Sequence, residues 1–409
     1  MGIDRLKPLQ ALCIGQIMQA SESKGDTPCK RLVILPTGYG KTLCFTLPAL
    51  LLPHPTLIIY PLRALMVDQL RRFTTAGLSA ELLIGGLEPG EIERRLARIR
   101  SGNIRLIIAN PEILATRKVS QGLSGIKISH LVIDEAHVIH QWGHSFRPAY
   151  RELAETIKKM APEQISAFTA TADSATIGTI RNFLDDAQLF MLNGPVDRPE
   201  IKYRIIRSPL PELSLQALAE TVVRPAIVFL RNRSLCESLS LRLRHLCAHQ
   251  SGKLRFYHAG LSREERLHLE HWFFHADDGV LVSTNAYGMG VDKGNIRTVI
   301  HYGLPDCASS YLQESGRAGR DGMPASAICL LPTDLPPIGD ISLDHFVNGS
   351  ACRRKSLLEA LDNPDVSCAG CDVCNPDLSG HSPEISDLLG FLDRYPRQYT
   401  LPELGRELH

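Results

Sequence analysis

No apolar run in this chain is long enough to cross a bilayer. The longest, residues 47–62, is broken by Pro48, Pro53, His54, Pro55 and Pro61, so no membrane partner is predicted. The first residues show no basic segment, long apolar core and small-residue cleavage site, which argues against a secretory signal. Leu6 stands where a myristoylation site after Met1-Gly2 has Ser or Thr. Net charge is nearly absent: 45 basic and 44 acidic side chains leave a formal +1, so any nucleic-acid surface must be a local patch. Tryptophan is scarce, with only Trp142 and Trp272, and no short tandem repeat is evident. What is present is ordinary for a globular protein, 44% apolar and 22% charged. A length of 409 residues predicts two or three domains rather than one core.

Two basic runs stand out: Arg94, Arg95, Arg98, Arg100 and Arg105, and then Arg231, Arg233, Arg242 and Arg244. Interspersed acids such as Glu91 and Glu93 read as solvated helix faces rather than a binding stripe. The eleven cysteines are uneven. Cys13, Cys29, Cys44, Cys236, Cys247, Cys307 and Cys329 are scattered through strand and helix patterns and read as small buried hydrophobes. Cys352, Cys368, Cys371 and Cys374 are clustered. Without an export signal, reduced thiols are the default, and clustering suggests a metal.

Short apolar strands alternate with amphipathic helical patterns twice over. The first set is 32–35, 56–60, 105–109, 131–134 and 165–169; the second is 226–230, 254–257, 280–284, 298–302 and 327–331. Continuous apolar strands separated by helices imply an α/β fold class: two parallel-sheet domains in tandem, each sheet covered on both faces. Asn193-Gly194-Pro195-Val196-Asp197-Arg198-Pro199 reads as the linker, and Pro332, Pro336 and Pro337 end the second sheet pattern. Predicted limits are 1–194, 195–335, a cysteine module at 336–380 and a helical start at 381–409. In that last part Ile385, Leu388, Leu389 and Leu392 mark one helix face. Thr400 reads as the N-cap of another helix, with Pro402 in its first turn.

The first predicted strand leads into Leu35-Pro36-Thr37-Gly38-Tyr39-Gly40-Lys41-Thr42, and the fourth into Asp134-Glu135-Ala136-His137. A strand, a tight turn with Gly38 and Gly40, and Gly-Lys-Thr opening a helix form the context of a phosphate loop. Backbone amides close around phosphate oxygens, and the helix adds the positive end of its dipole. Lys41 is suited to the β- and γ-phosphates and the Thr42 hydroxyl to magnesium. Asp134 and Glu135 supply a metal anchor and a base for water. Nucleoside triphosphate hydrolysis follows from the pair. Leu35 occupies the place that the strict pattern gives to Gly, which points to helicase-like ATPases. Further on, Gln313-Glu314-Ser315-Gly316-Arg317-Ala318-Gly319-Arg320-Asp321-Gly322 places two arginines three residues apart, read as one face at the start of a helix. Facing the phosphate loop across a cleft, Arg317 or Arg320 would stabilise charge on the γ-phosphoryl group.

These residues resemble the RecQ family of DNA helicases, in helicase superfamily two, over nearly the whole chain. Lys7-Pro8-Leu9-Gln10 is similar to the family's adenine-reading segment. Tyr60-Pro61-Leu62-Arg63-Ala64-Leu65-Met66-Val67-Asp68-Gln69 and Asn110-Pro111-Glu112 are similar to segments that hold the DNA backbone. Thr169-Ala170-Thr171-Ala172 resembles the segment linking nucleotide state to domain movement. Tyr257-His258-Ala259-Gly260 and Ser283-Thr284, on to Gly288-Met289-Gly290 and Lys293, resemble second-domain motifs. Gln141-Trp142-Gly143-His144-Ser145-Phe146-Arg147-Pro148 looks like the loop that separates this family from its relatives by sensing single-stranded DNA. Trp142 and Phe146 offer stacking faces at roughly 1–3 kcal/mol per base, and Arg147 a phosphate contact. Trp272, beside Phe273, reads as core.

Cys352-Arg353-Arg354 followed by Cys368-x-x-Cys371-x-x-Cys374 resembles the family's zinc-binding helical hairpin, with Cys352 supplied from the preceding helix. Four thiolates suit closed, structural tetrahedral zinc; an iron–sulfur cluster or disulfides are the alternatives. Ile3 is nearest the place of the family's adenine-stacking aromatic, the segment 334–352 is short, and the winged helix is at best begun.

The resemblance implies ATP, magnesium and structural zinc as cofactors. Thr37, Gly38, Tyr39, Gly40, Lys41, Thr42, His137 and Gln313 join Lys7 and Gln10 at the nucleotide. Arg63, Asn110, Trp142, Phe146 and Arg147 fall on DNA, single-stranded or forked. It further implies 3′→5′ unwinding in repair and recombination. A monomer or weak oligomer is expected, and the absence of a basic nuclear-import run favours a bacterial cytoplasm, with the nucleus as the place if eukaryotic. Three rivals stay open: an RNA helicase, a DNA-stimulated ATPase without efficient unwinding, and a non-enzymatic DNA-binding protein with degenerate lobes.

Overall fold

The computed structural model describes residues 5–22, 28–87, 90–143, 148–186, 189–246, 252–287, 293–363 and 366–378. The chain divides into two units, Met1–Asp197 and Arg198–His409.

The first unit is built on a seven-stranded sheet. Its strands are β1 (Cys29–Ile34), β2 (Thr56–Ile59), β3 (Ala80–Leu82), β4 (Leu106–Ala109), β5 (His130–Ile133), β6 (Gln164–Thr169) and β7 (Phe190–Asn193). They lie in the order β3-β4-β2-β5-β6-β1-β7, all parallel. Alternate side chains serve opposite faces, as the pleat requires. Leu32, Ile34, Leu57, Ile59, Leu131 and Ile133 enter one core layer. Val33, Leu35, Ile58 and Val132 enter the other. Both faces are covered, which is why these strands read as continuous apolar runs.

The second unit repeats the plan with β8 (Ile201–Ser208), β9 (Ala226–Phe229), β10 (Leu254–Tyr257), β11 (Val280–Ser283), β12 (Thr298–Tyr302) and β13 (Ala325–Pro332). Its order is β10-β11-β9-β12-β13-β8, again all parallel. Ile227, Phe229, Leu281 and Val299 face one layer, and Ala226, Val228, Val282 and Ile300 the other.

All ten predicted strands are present, with ends shifted by a few residues. Three more were not legible: β3, β7 and β8. β7 and β8 are edge strands, and the side chains of β8 alternate between buried and exposed positions instead of forming an apolar run. The apolar stretch 47–62 is divided between the helix Lys41–Leu51 and β2. Among the described residues no helix is long and apolar enough to cross a membrane.

The cysteine reading needs correction at two positions. Cys13, Cys44, Cys236 and Cys329 are buried, but Cys29 is exposed at the first residue of β1 and Cys307 is half-buried at a helix N-cap. Strand and helix ends lie outside the core layers, so small size there does not imply burial. Cys247 lies outside the described residues. The basic runs are largely occupied by local contacts. Arg98 pairs with Glu81 at 2.9 Å, Arg242 with Glu212 at 2.9 Å, and Arg105 donates to the Leu52 carbonyl at 3.0 Å. Trp272 is only part-buried, packed against the core beside the buried Phe273.

Candidate active site

In an open parallel sheet, ligands sit outside the carboxyl ends of the strands. The order β4-β2-β5-β6-β1 places the segments leaving five strands in one row. Asn110 leaves β4, Arg63 follows β2, Asp134 to His137 follow β5, Thr169 closes β6, and the phosphate loop follows β1.

The phosphate loop is tied to its neighbours by backbone. Leu35 N–H donates to Thr169 O at 3.0 Å, and Tyr39 N–H to Pro36 O at 3.1 Å. Gly38 and Gly40 have φ of 80° and 87°, the left-handed region that a side chain disfavours. A Cβ on Gly40 would also come within 2.5 Å of the Gln10 amide nitrogen. Leu35 is fully buried in the core layer that holds Val33 and Phe45. Its departure from the strict pattern is thus a packing choice. Leu35→Ala is expected to cost about 2–5 kcal/mol, the range for a large core side chain cut to Ala. Urea unfolding reads this directly, and a cost below about 1 kcal/mol would contradict it.

Gln10 is buried and braces the loop. Its side-chain amide donates to Tyr39 O at 2.8 Å and accepts from the Lys7 N–H at 2.8 Å. The Lys7 ammonium lies 4.7 Å from the Tyr39 ring centroid. Lys41 and Thr42 open the helix Lys41–Leu51 directly after Gly40. Lys41 Nζ donates to Leu35 O at 3.2 Å, folded back on its own loop.

The second constellation is bonded to the first through β6. Asp134 N–H donates to Ile59 O at 3.0 Å, and Ala136 N–H to Phe168 O at 2.8 Å. Between them Glu135 adopts φ 52°, a sparsely populated conformation for a residue with a side chain, of the sort that gathers at functional sites. Burial, then the adjoining Glu135 carboxylate, push the Asp134 carboxyl up to about 7, while Lys41 pulls it back. A buried carboxyl beside a second carboxyl, with a hydroxyl at Thr42, makes a donor set suited to a hard divalent cation. His137 Nδ1 lies 3.1 Å from the Thr169 hydroxyl and 3.4 Å from Glu135, and that hydroxyl donates to Thr171 O at 2.8 Å. Burial lowers the His137 pKa, so the ring is neutral at pH 7.

Of the expected DNA contacts, Arg63 is exposed, its guanidinium 2.9 Å from Gly85 O. Asn110 is buried and its amide donates to Glu112. The side chain of Trp142, and Phe146 and Arg147 entirely, lie outside the described residues, as do 288–292 and all of 379–409, including the predicted helices there.

In the second unit Gln313 belongs to the helix Ala308–Ser315. Arg317 and Arg320 do not open a helix, contrary to the sequence reading: they follow its C-terminus. Gly316 is the C-cap, and Gly319 at φ 61° turns the chain away, so Gly-rich spacing marked a helix end and not a start. Both arginines lie close enough to Tyr287 for their charges to oppose the burial that raises its hydroxyl pKa.

The four clustered cysteines do meet. The sulfurs of Cys352, Cys368, Cys371 and Cys374 lie within 4.8 Å of one another, a cluster that a small inward adjustment would bring to the roughly 3.8 Å edge of a tetrahedral tetrathiolate site. Cys352 is the N-cap of the helix Arg353–Glu359. Burial pushes the Cys371 thiol up, but amides of Cys374, Arg353 and Val373 outweigh it and bring it down to about 7. Amides aimed at sulfur favour thiolate, the form that binds metal. The cluster is anchored on edge strand β8: Tyr203 N–H donates to Gly370 O at 3.3 Å, and Asp372 N–H to Tyr203 O at 3.1 Å. Sequence reasoning missed two residues here, Arg198 and Arg354. The first was counted as linker, and the second, though noted beside Cys352, carried no sign of burial.

The DEAD/DEAH box helicase family matches residues 7–180, and the helicase conserved C-terminal domain matches 210–322. An ATP-dependent DNA helicase RecQ of Pasteurella multocida is 34% identical over 365 residues, covering 84% of this chain and 57% of its own. Its counterpart in Synechocystis is 32% identical over 379 residues, covering 89% of this chain and 77% of its own. The chain thus spans just over half the length of the Pasteurella relative. Among solved structures, the DEAD-box helicase Mss116 bound to single-stranded RNA superposes with a TM-score of 0.68 at 19% identity, covering 100% of this chain and 86% of the other. That likeness concerns the fold.

Proposed function

We propose, since the chain belongs to the RecQ family of ATP-dependent DNA helicases, that it hydrolyses ATP to move along and unwind DNA. One observation carries the reading. The phosphate loop, Asp134-Glu135 and Thr169 leave adjacent strands of one sheet, and Thr169 is bonded both to Leu35 N–H of the loop and to His137.

In this reading Lys41 holds the β- and γ-phosphates and Gln10 the adenine. Thr42 and Asp134 hold magnesium, which would offset phosphate charge. Glu135 takes the proton of the attacking water. Arg317 and Arg320 act on the γ-phosphoryl from the second unit. His137 passes the nucleotide state to Thr169 and so to Thr171. Four thiolates at Cys352, Cys368, Cys371 and Cys374 hold structural zinc. Arg63, Asn110, Trp142, Phe146 and Arg147 track single-stranded DNA, entered from forks or partial duplexes in the 3′→5′ direction. The service is repair and recombination, at the nucleoid of a bacterium or in a eukaryotic nucleus. The proposed functional limits are 1–194 and 195–335 for the paired motor domains, then 336–380 for the zinc module.

The test is phosphate release with and without single-stranded DNA, alongside strand displacement on matched DNA and RNA forks. Stimulated release with displacement of DNA only is expected. Displacement of RNA forks would shift the substrate class; release without displacement would leave a DNA-stimulated ATPase; no release under any condition would end the enzymatic reading.

A further inference from the structure

We propose that Arg198 is a positioning residue for the turn carrying Arg317 and Arg320, and that the cysteine module acts on that turn through it. The inference rests on those two arginines acting on the γ-phosphoryl group.

A helix end leaves its last carbonyls without helical partners, and its dipole is negative there, so a cation is a natural cap. Arg198, the first residue of the second unit, fills that place for the helix Ala308–Ser315. Its Nη1 donates to Gly316 O at 2.9 Å, and its Nη2 to Ala318 O and Gly319 O, each at 3.0 Å. The three acceptors bracket Arg317 and end one residue before Arg320. The remaining nitrogen, Nε, meets Glu200 at 2.5 Å, which fixes the plane of the guanidinium. A planar fork so held sets the orientation of the turn, where a flexible ammonium would not.

The Arg198 backbone is fixed from the other side. Arg354 is fully buried, donates to Arg198 O at 3.0 Å and also to Ile201 O, and lies 5.2 Å from the Tyr203 ring centroid. It sits in the helix that Cys352 caps, while Cys371 adjoins Tyr203 in an isolated bridge. Asp372 completes the clamp, accepting from Ile205 N–H at 2.9 Å and Arg353 Nε at 3.1 Å. A set of contacts therefore runs from the cysteine segment through Arg354 and Arg198 to the carbonyls that flank Arg317 and precede Arg320.

The experiment is single-stranded-DNA-stimulated ATPase of the full chain, with kcat and KM for ATP measured separately. Misplacing a catalytic group by about 1 Å costs about 10²-fold in rate, so Arg198→Met should lose about 10²-fold in kcat. KM, DNA affinity and thermal midpoint should stay near wild type. Groups acting as one unit are non-additive, so Arg198→Met added to Arg317→Ala/Arg320→Ala should be no slower than that pair alone. A cap contributing stability only would leave the two losses multiplicative, and that result overturns the proposal. Arg198→Lys keeps the charge should the methionine variant not fold. It is expected to lose kcat at unchanged KM, and a wild-type kcat for it overturns the proposal as well. An inactive wild-type chain, or Arg317→Ala at full kcat, would remove the underlying reading instead. A full kcat for Arg198→Met beside an impaired Arg317→Ala removes the positioning role alone.

Discussion

Glu135→Gln should reduce DNA-stimulated ATP turnover on the order of 10³-fold while leaving ATP binding intact. The substitution preserves volume and hydrogen-bonding reach but removes the group that takes a proton from water. The backbone gives the position its weight: φ at Glu135 is 52°, and its N–H is held by the Asp134 carboxylate at 3.0 Å. A side chain aimed by strained backbone is not readily replaced by a neighbour. His137, 3.4 Å away, has its own Nδ1 beside the Thr169 hydroxyl. Lys41→Ala is the companion. It should abolish both nucleotide binding and turnover, because the ammonium 3.2 Å from Leu35 O is the phosphate loop's own cation. Equilibrium binding of a fluorescent ATP analogue separates the two variants. Retention by Glu135→Gln of more than about a tenth of wild-type kcat would dismiss it as the base.

If the four thiolates hold zinc as proposed, Cys371→Ser should abolish zinc binding and unfold the module around the site. Cys371 is fully buried, and its sulfur accepts from the Cys374 amide at 3.4 Å. A hydroxyl at that place is a poor ligand, and the three remaining thiols lose their closed site. The segment around it is bonded to Tyr203 on β8, so the loss reaches the sheet edge. A fall of roughly 10 °C in the midpoint of the second unit is expected, corresponding to a few kcal/mol for a unit of this size. Colorimetric zinc release and calorimetry report the two effects, and a chelator applied to the wild-type chain should reproduce both. Undiminished metal content with an unchanged midpoint would exclude Cys371 as a ligand.

The interior strands were legible because burial on both faces leaves an unbroken apolar signal: Leu57-Ile58-Ile59 or Leu131-Val132-Ile133 allow little else. Edge strand β8 was illegible for the converse reason. Lys202 and Arg207 are exposed between buried residues such as Tyr203 and Ile206, a pattern a surface segment also shows. Arg317 and Arg320 were found as a pair but assigned to the wrong end of a helix, since Gly316 and Gly319 accept either reading until φ is known. The cysteine cluster was readable from spacing because two-residue gaps bring thiols together locally; only Cys352 needed the fold to bring it in.

Residue chemistry and short-range spacing by themselves determined the phosphate loop, the paired carboxylates, the thiol triplet and the presence of two successive sets of buried strands, because each leaves its mark within a few consecutive residues. Strand order was decided only in three dimensions. It is what brings β5, β6 and β1 side by side, so that His137 reaches Thr169 from 32 residues away. The long reach of Arg198 to Gly316 and of Arg354 to Arg198 was decided there too. A guanidinium on a flexible stem has many partners available to it in sequence, and packing alone selects among them.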